Sequence, residues 1–302
     1  MSIVADLPKR IFILGLGYSG QAIARRLLAL GVTVDGTVRE PAAHAIDGLA
    51  RHRLASDQPV DASLLEALGR ADAVLCTVPP DADGDPAMRL VRAALASSRA
   101  LRWVGYLSST AVYAGRDGGW VDEASLADGS SPSALQRLHA ERQWQALASE
   151  RGIDSAVFRL PGLYGRGRNA LVQLAAGRAR HVVRPGLVFN RLHVQDLADV
   201  VVAALQHPRP AARYLPADDE PAPPQQVLAY AAQLGGYALP AQQQWDDPAV
   251  SPSLRRFYEG NKRIDSRGTR AMLQWQPRFP SYREGLQDAW EHGDGQRLPA
   301  GA

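Results

Sequence analysis

"RIFILGLGYSGQAIARRLL", residues 10–28, sets a short apolar run against three glycines and then a stretch of helical period. Gly15, Gly17 and Gly20 keep the spacing G-x-G-x-x-G, directly after a predicted strand and directly before a predicted helix. The first glycine permits a tight turn, the second lets backbone approach a pyrophosphate, and the third lets helix pack closely on strand. The helix N-terminus then offers unpaired N–H groups and the positive end of its dipole to the anion. The same spacing also occurs as a purely structural glycine turn. Here strand, glycines, helix and a second strand, "VTVDGTV" (32–38), follow in the order a dinucleotide site requires, with Tyr18 and Ser19 inside the loop.

The end of the second strand reports which dinucleotide binds. An acid there accepts hydrogen bonds from the ribose 2'-hydroxyl, whereas an arginine accommodates a 2'-phosphate. Val38 is followed by Arg39, and Asp35 comes too early, inside the strand. NADP is therefore expected over NAD, unless Arg39 is one more solvated arginine. That alternative has weight because only two lysines, Lys9 and Lys262, stand against 32 arginines.

Farther along, short apolar runs alternate with helical segments: "LLEALG" (64–69), "ADAVLCTV" (71–78), "MRLVRAALASS" (88–98), "RWVGYLSS" (102–109), "LHAERQWQALASE" (138–150) and "SAVFRL" (155–160). Such alternation predicts a parallel sheet covered by helices on both faces, an α/β fold of Rossmann type. Ile23, Leu27 and Leu30 should form the apolar stripe of the first helix, and Thr77 should border the dinucleotide. Residues 1–165 are expected to form the dinucleotide-binding unit. Residues 166–302 are expected to form a smaller α+β lobe, with 187–216 returning to the first unit. Within that return, "HVQDLADVVVAALQ" (193–206) predicts a helix with Asp196 near its positively polarised start.

The 302 residues are 46% hydrophobic and carry a net charge of +3 spread along the chain, without a long basic block. A nucleic-acid role has little support, and an anionic small molecule suits the mild positive charge. No run approaches the length of a membrane helix, and "IFILGLG" (11–17) lacks a cleavage pattern. Cys76 is the one cysteine, which predicts a buried reduced thiol rather than a catalytic one. A soluble cytoplasmic protein, possible as a homodimer, is the expectation. No metal site is expected.

"YLSSTAVYAGRDGGWVDE" (106–123), "FRLPGLYGRGRN" (158–169) and "RLHVQDLADVV" (191–201) resemble three segments of extended short-chain dehydrogenases, the NAD(P)-dependent epimerase/dehydratase family. The resemblance covers nearly the whole chain. Together with "NKRID" (261–265), it is most similar to an atypical bacterial subgroup of nucleoside-diphosphate-sugar epimerase-like proteins. It implies that Ser109 orients a reacting carbonyl or alcohol, and that the loop carrying Tyr164, Arg166 and Arg168 borders nicotinamide and substrate. Serine 109 could instead serve only the backbone at a strand end. Arg166 and Arg168 suit phosphate oxygens but could equally be solvated loop residues. Arg191, His193 and Lys262 join the candidate substrate contacts.

One departure stands out. The family's Tyr-x-x-x-Lys maps, through Glu141, onto Ser133 and Arg137. A serine hydroxyl is too weakly acidic to replace the tyrosine unaided, whereas Arg137 keeps a positive charge for the ribose. Tyr113, Tyr164 and His139 are available as substitutes, and no tyrosine lies between Tyr113 and Tyr164. The resemblance disfavours dehydration, because dehydratases of that superfamily carry an Asp-Glu pair within the serine motif, where this chain reads "SSTAVY" (108–113). The resulting expectation is an NADP-dependent oxidoreductase or epimerase-like protein acting on an anionic small molecule, possible as a nucleotide sugar. The other reading is an NADP(H)-binding sensor with reduced catalysis.

Overall fold

A computed structural model describes residues 6–40, 46–55 and 57–296. The first half of the chain runs β1 (Arg10–Leu14), α1 (Tyr18–Ala29), β2 (Thr33–Val38), β3 (Leu49–Arg53), α2 (Ala62–Gly69), β4 (Ala73–Cys76), α3 (Pro86–Ser97), β5 (Trp103–Ser109), β6 (Trp120–Val121) and α4 (Pro132–Arg151). Then follow β7 (Asp154–Leu160), β8 (Gly162–Tyr164), α5 (Ala170–Ala175), β9 (His181–Val183), β10 (Arg191–His193), α6 (Val194–Gln206) and β11 (Ala212–Tyr214). The C-terminal part holds α7 (Pro224–Gly235), β12 (Gln242–Gln244), α8 (Pro252–Glu259), β13 (Arg263–Ile264), α9 (Arg267–Leu273) and α10 (Tyr282–Glu291).

Seven strands form one parallel sheet in the order β11-β7-β5-β4-β1-β2-β3. The interior strand β1, flanked by β4 and β2, shows why both faces are covered. Ile11 and Ile13 point to one face and Phe12 and Leu14 to the other, all fully buried, as the period-2 pleat of a two-sided parallel sheet requires. One face packs on α1, α6 and α9 through Ile23, Leu27, Leu197, Val201 and Leu273. The other packs on α2, α3 and α4 through Leu64, Met88, Val91 and Trp144. This is a Rossmann-type doubly wound fold. Strand order reverses between β1 and β4, and the crevice outside their carboxyl ends is where such sheets bind ligands.

One expectation changes in detail. Leu30 leaves the stripe, because α1 ends at Ala29, and Leu30 caps it at 40% exposure before the turn at Gly31, φ +80°. Asp196 lies in the first turn of α6, as expected, and turns inward to accept the N–H groups of Arg278 and Phe279, while His193 caps the helix by accepting the Gln195 N–H.

Strand β11 sits in the main sheet, and α9 also returns to it, with Leu273 and Trp275 in the same core as Ile11. Helices α5, α7 and α10 bury a separate small core around Leu171, Leu228, Tyr282 and Leu286. Helix α10 opens with a capping box, Ser281 with Glu284. Short parallel pairs, β8 with β10, β9 with β12 and β6 with β13, tie these segments across the sheet's carboxyl end.

Candidate active site

The glycine loop is shaped by close approach. Gly15 has φ +97°, and a side chain there would meet Thr77 Oγ1 at 2.8 Å and Val78 at 2.9 Å. Its N–H donates to Thr37 Oγ1 at 2.8 Å, and its carbonyl accepts from Thr77 Oγ1 at 2.5 Å. A Cβ at Gly20 would collide with the Gly15 carbonyl, whereas Gly17 faces open space. Helix α1 starts there with no side-chain cap and no acid in its first turn, half-exposed Ser19 included. An uncapped, acid-free N-terminus behind a glycine with free space in front is a cradle that fits a dinucleotide diphosphate.

Tyr18 stands beside this cradle with the Arg168 guanidinium 5.3 Å over its ring. Its buried hydroxyl has no partner among the described residues, and burial pushes its pKa up to about 12. Arg39 is exposed just past the end of β2, and its carbonyl accepts from Arg53 Nε at 3.2 Å. Asp35 lies inside β2, buried, and is paired with Arg10 at 2.8 Å.

A cleft of about 640 Å³ opens at the carboxyl ends of β5 and β7. Ser109 lines it, and its Oγ accepts the Ala111 N–H at 3.2 Å to start the turn Thr110–Val112. Serving the backbone uses a lone pair and leaves the hydroxyl hydrogen for a substrate oxygen. Arg191 and Lys262 line the same cleft, and among the described residues no Asp or Glu does. The Arg191 Nη1 donates to the carbonyls of Phe189 and Ala222, and burial lowers its pKa despite nearby Asp218. Both oxygens of buried Asp218 lack a partner among the described residues, and burial pushes that carboxyl up to about 8.

Other candidates lie elsewhere or are occupied. Ser133 is exposed on α4 and does not line the cleft. Arg137 is half-buried, with Nη1 donating to the Leu107 carbonyl at 2.9 Å and to the Tyr106 hydroxyl at 3.3 Å. The Tyr113 hydroxyl is held between Arg159, which donates to it at 2.9 Å, and the Asp122 carbonyl. Tyr164 gives its hydroxyl to the Ser281 carbonyl at 3.0 Å. His139 is exposed on α4. Arg166 pairs with Asp288 at 2.7 Å, and His193 is fully buried against Phe279 with Nε2 unpartnered among the described residues. Burial lowers the His193 pKa to about 4, and with Nδ1 accepting an N–H the neutral ring carries its proton on Nε2.

Sequence reasoning missed Asn190 and the network under Ser109. Asn190 lines the cleft and staples the 260–264 segment, donating to the Lys262 carbonyl and accepting the Ile264 N–H, both at 2.8 Å. Beneath the cleft, Ser108 donates to Glu141 at 2.5 Å, and Glu141 takes a two-pronged bond from Arg159. A charged residue between Phe158 and Leu160, near the end of the mostly apolar strand "SAVFRL", was the available signal for Arg159. Cys76 is buried and donates to Asp85, and burial raises its pKa. Among the described residues no three His, Cys, Asp or Glu side chains are grouped to hold a metal, and no helix is long and apolar enough to cross a membrane.

A family model described as NAD dependent epimerase/dehydratase matches residues 11–214. The chain belongs to that family. A conserved protein of unknown function from Silicibacter pomeroyi is 35% identical over 95% of this chain and 99% of that one, with a TM-score of 0.85. The UDP-glucose 4-epimerase of Thermus thermophilus, solved with NAD, is 17% identical over 94% and 98%, and its TM-score of 0.73 marks a likeness of fold alone. A 3-diazoavenalumate denitrifying reductase from a Streptomyces species is 28% identical over 180 residues, which is 55% of this chain and 57% of that reductase. The match thus spans little more than half of the reductase's length.

Proposed function

We propose that this member of the epimerase/dehydratase family is an NADP-dependent oxidoreductase or epimerase-like enzyme acting on an anionic small molecule of the nucleotide-sugar class. The observation that carries this reading is the cleft itself. A strand-end serine shares it with two cationic side chains and, among the described residues, no acid. Its position at the carboxyl ends of β5 and β7, beside the glycine cradle, is where a hydride-exchanging site belongs in such a sheet. The bound nicotinamide would supply or accept the hydride. Gly15, Gly17, Tyr18, Ser19 and Gly20 would hold the diphosphate with Thr77 behind them, and Arg39 would meet the 2'-phosphate. Ser109 would orient the reacting oxygen, Arg137 would lie toward the ribose, and Arg191 and Arg168 would meet substrate or dinucleotide anions. Residues 1–165 would form the dinucleotide unit, 187–216 would return to it, and the remainder of 166–302 would close the cleft. A buried reduced Cys76 suits a cytoplasmic setting.

A second reading draws on one specific observation. Ser133 stands outside the cleft where the family's tyrosine would face it, which favours an NADP(H) receptor with little turnover. Calorimetric titration with NADP, NADPH, NAD and NADH, followed by NADPH oxidation against sugar nucleotides and small carbonyl compounds, separates the two. Turnover supports the enzyme, tight binding without turnover supports the receptor, and no binding overturns both.

A further inference from the structure

Reduction of a carbonyl in this cleft needs a proton, and the cleft wall limits its source. Tyr113 and Tyr164 line it, but their hydroxyls are committed to Arg159 with the Asp122 carbonyl and to the Ser281 carbonyl, and burial raises both phenols. Ser109, Thr110, Ser130 and Ser131 are alcohols, too weakly acidic at neutral pH. Arg191 holds its proton under any working condition. Lys262 is the remaining titratable group lining the cleft among the described residues.

We propose that the Lys262 ammonium is the proton donor of this site, replacing the tyrosine that α4 does not carry. The inference rests on the dinucleotide-dependent reading above. Its geometry is independent of α4. Lys262 is held by its backbone carbonyl to Asn190, and the neighbouring Arg263 N–H bonds to the Gly119 carbonyl at 2.8 Å as β13 pairs with β6. Among the described residues the Nζ group donates once, to the Tyr113 carbonyl at 2.9 Å, leaving two hydrogens for a substrate oxygen. No carboxylate pairs with it among the described residues. Charged groups around it are Arg116 and Asp128, themselves paired at 2.8 Å, and Arg191 across the cleft. Burial and Arg116 lower the pKa of Lys262, in the direction that makes the ammonium a better acid near neutrality.

The step balances. A hydride, one hydrogen nucleus with two electrons, would reach the carbonyl carbon as a C–H bond of the reduced dinucleotide breaks and a new C–H bond forms, oxidising the dinucleotide, while the carbonyl oxygen takes a proton from Nζ and becomes a hydroxyl. The N–H bond that breaks leaves a neutral amine, which regains a proton from water. In the alcohol-oxidising direction the neutral amine accepts the proton.

Substituting lysine by arginine separates donation from anion binding. Lys262→Arg keeps the cation, so turnover on the carbonyl panel should fall by about a hundredfold to ten-thousandfold. Binding of NADP and of UDP, used as an anion probe, should stay within about twofold of the parent, a change of under half a kcal/mol. Restoration of turnover by arginine would overturn the donor role and leave Lys262 an anion contact. A second readout needs no turnover. Competitive acetylation of the whole protein with acetic anhydride, read by peptide mass spectrometry across neutral to alkaline pH, follows the free-amine fraction of Lys262. A midpoint below the ordinary lysine value, with slower labelling when NADPH is added, supports the proposal. An ordinary midpoint with no effect of NADPH overturns it. Failure of the parent to bind NADP(H) in calorimetry would instead strike the dinucleotide reading, while the labelling midpoint still reports on Lys262.

Discussion

The glycine cradle and the cleft lie at the same edge of one sheet but are built differently. The cradle comes mostly from one stretch, residues 15–20, whose turn, approach and packing are each required of a single residue by local geometry. The cleft takes its wall from residues near 109–115, 129–131, 160–164, 188–191 and 260–262. Its chemistry is set by what each side chain is already bonded to. A locally built site can be read from residue types, whereas an assembled one depends on hydrogen bonds that no spacing reports.

The most damaging way to break the assembled side is to remove a partner from its buried support. Glu141 and Arg159 are both buried and doubly bonded to one another, with Ser108 and Tyr113 hanging from the pair. Glu141→Ala leaves the guanidinium uncompensated and should cost about 3–5 kcal/mol of stability in denaturant unfolding. Replacing both members, Glu141→Leu with Arg159→Met, should recover most of that loss, because the penalty lies in the orphaned charge. Equal losses for single and double variants would show the pair to be no unit.

The cradle breaks without unfolding. Gly17 faces open space, so Gly17→Leu should leave the melting temperature within a few degrees of the parent while occupying the room a diphosphate needs. Dinucleotide affinity should fall by at least about a hundredfold, on the order of 3 kcal/mol. Unaltered binding would remove the phosphate assignment from this loop. Gly15→Val, by contrast, should destabilise the fold itself through its positive φ and its contact with Thr77.

Much of this was legible from the chain. The alternation of strands and helices, two-sided burial of "RIFIL" and the glycine turn follow from patterns that a few consecutive residues enforce. Leu30 marks where the pattern misleads, because periodicity does not tell where α1 stops. Asp196 stands at its helix start as expected, but its partners, the N–H groups of Arg278 and Phe279, come from a distant segment that no local pattern reports. The candidate site was legible as residue types and much less as roles. Tyr113 and Tyr164 look available in the sequence, and only tertiary contacts commit their hydroxyls. Asn190 gave no signal, because its role as a staple exists only once the 260–264 segment lies beside it.

Between cradle and cleft stands His193, fully buried and therefore informative about pH. Burial takes its pKa from an ordinary 6.5 down to about 4. The folded state binds this proton less tightly than the unfolded state, so the associated stability is complete above about pH 6.5 and is lost as pH falls toward 4. Between neutral pH and about pH 5 the loss is about 2 kcal/mol. His193→Asn keeps a cap on α6 while removing the titration, so its stability should fall less over the same interval. Parallel pH profiles for parent and variant would mean that the ring is solvated in solution and that this junction is looser than its packing on Phe279.

The mildest change sharpens the comparison most, because it tests how far local reading extends beyond the glycines. Arg39 is exposed just past β2, and Arg53, at the end of the neighbouring strand, donates to its carbonyl. Arg39→Asp replaces a phosphate partner by a carboxylate that repels phosphate and accepts from a 2'-hydroxyl. NADP affinity should drop about tenfold while NAD affinity holds or improves, a difference of roughly 1.4 kcal/mol between the two nucleotides. The arms of that titration are unequal only if Arg39 reads the phosphate. Equal loss of both would assign the discrimination to Arg53 or remove it altogether, and the local signal would then end at Gly20.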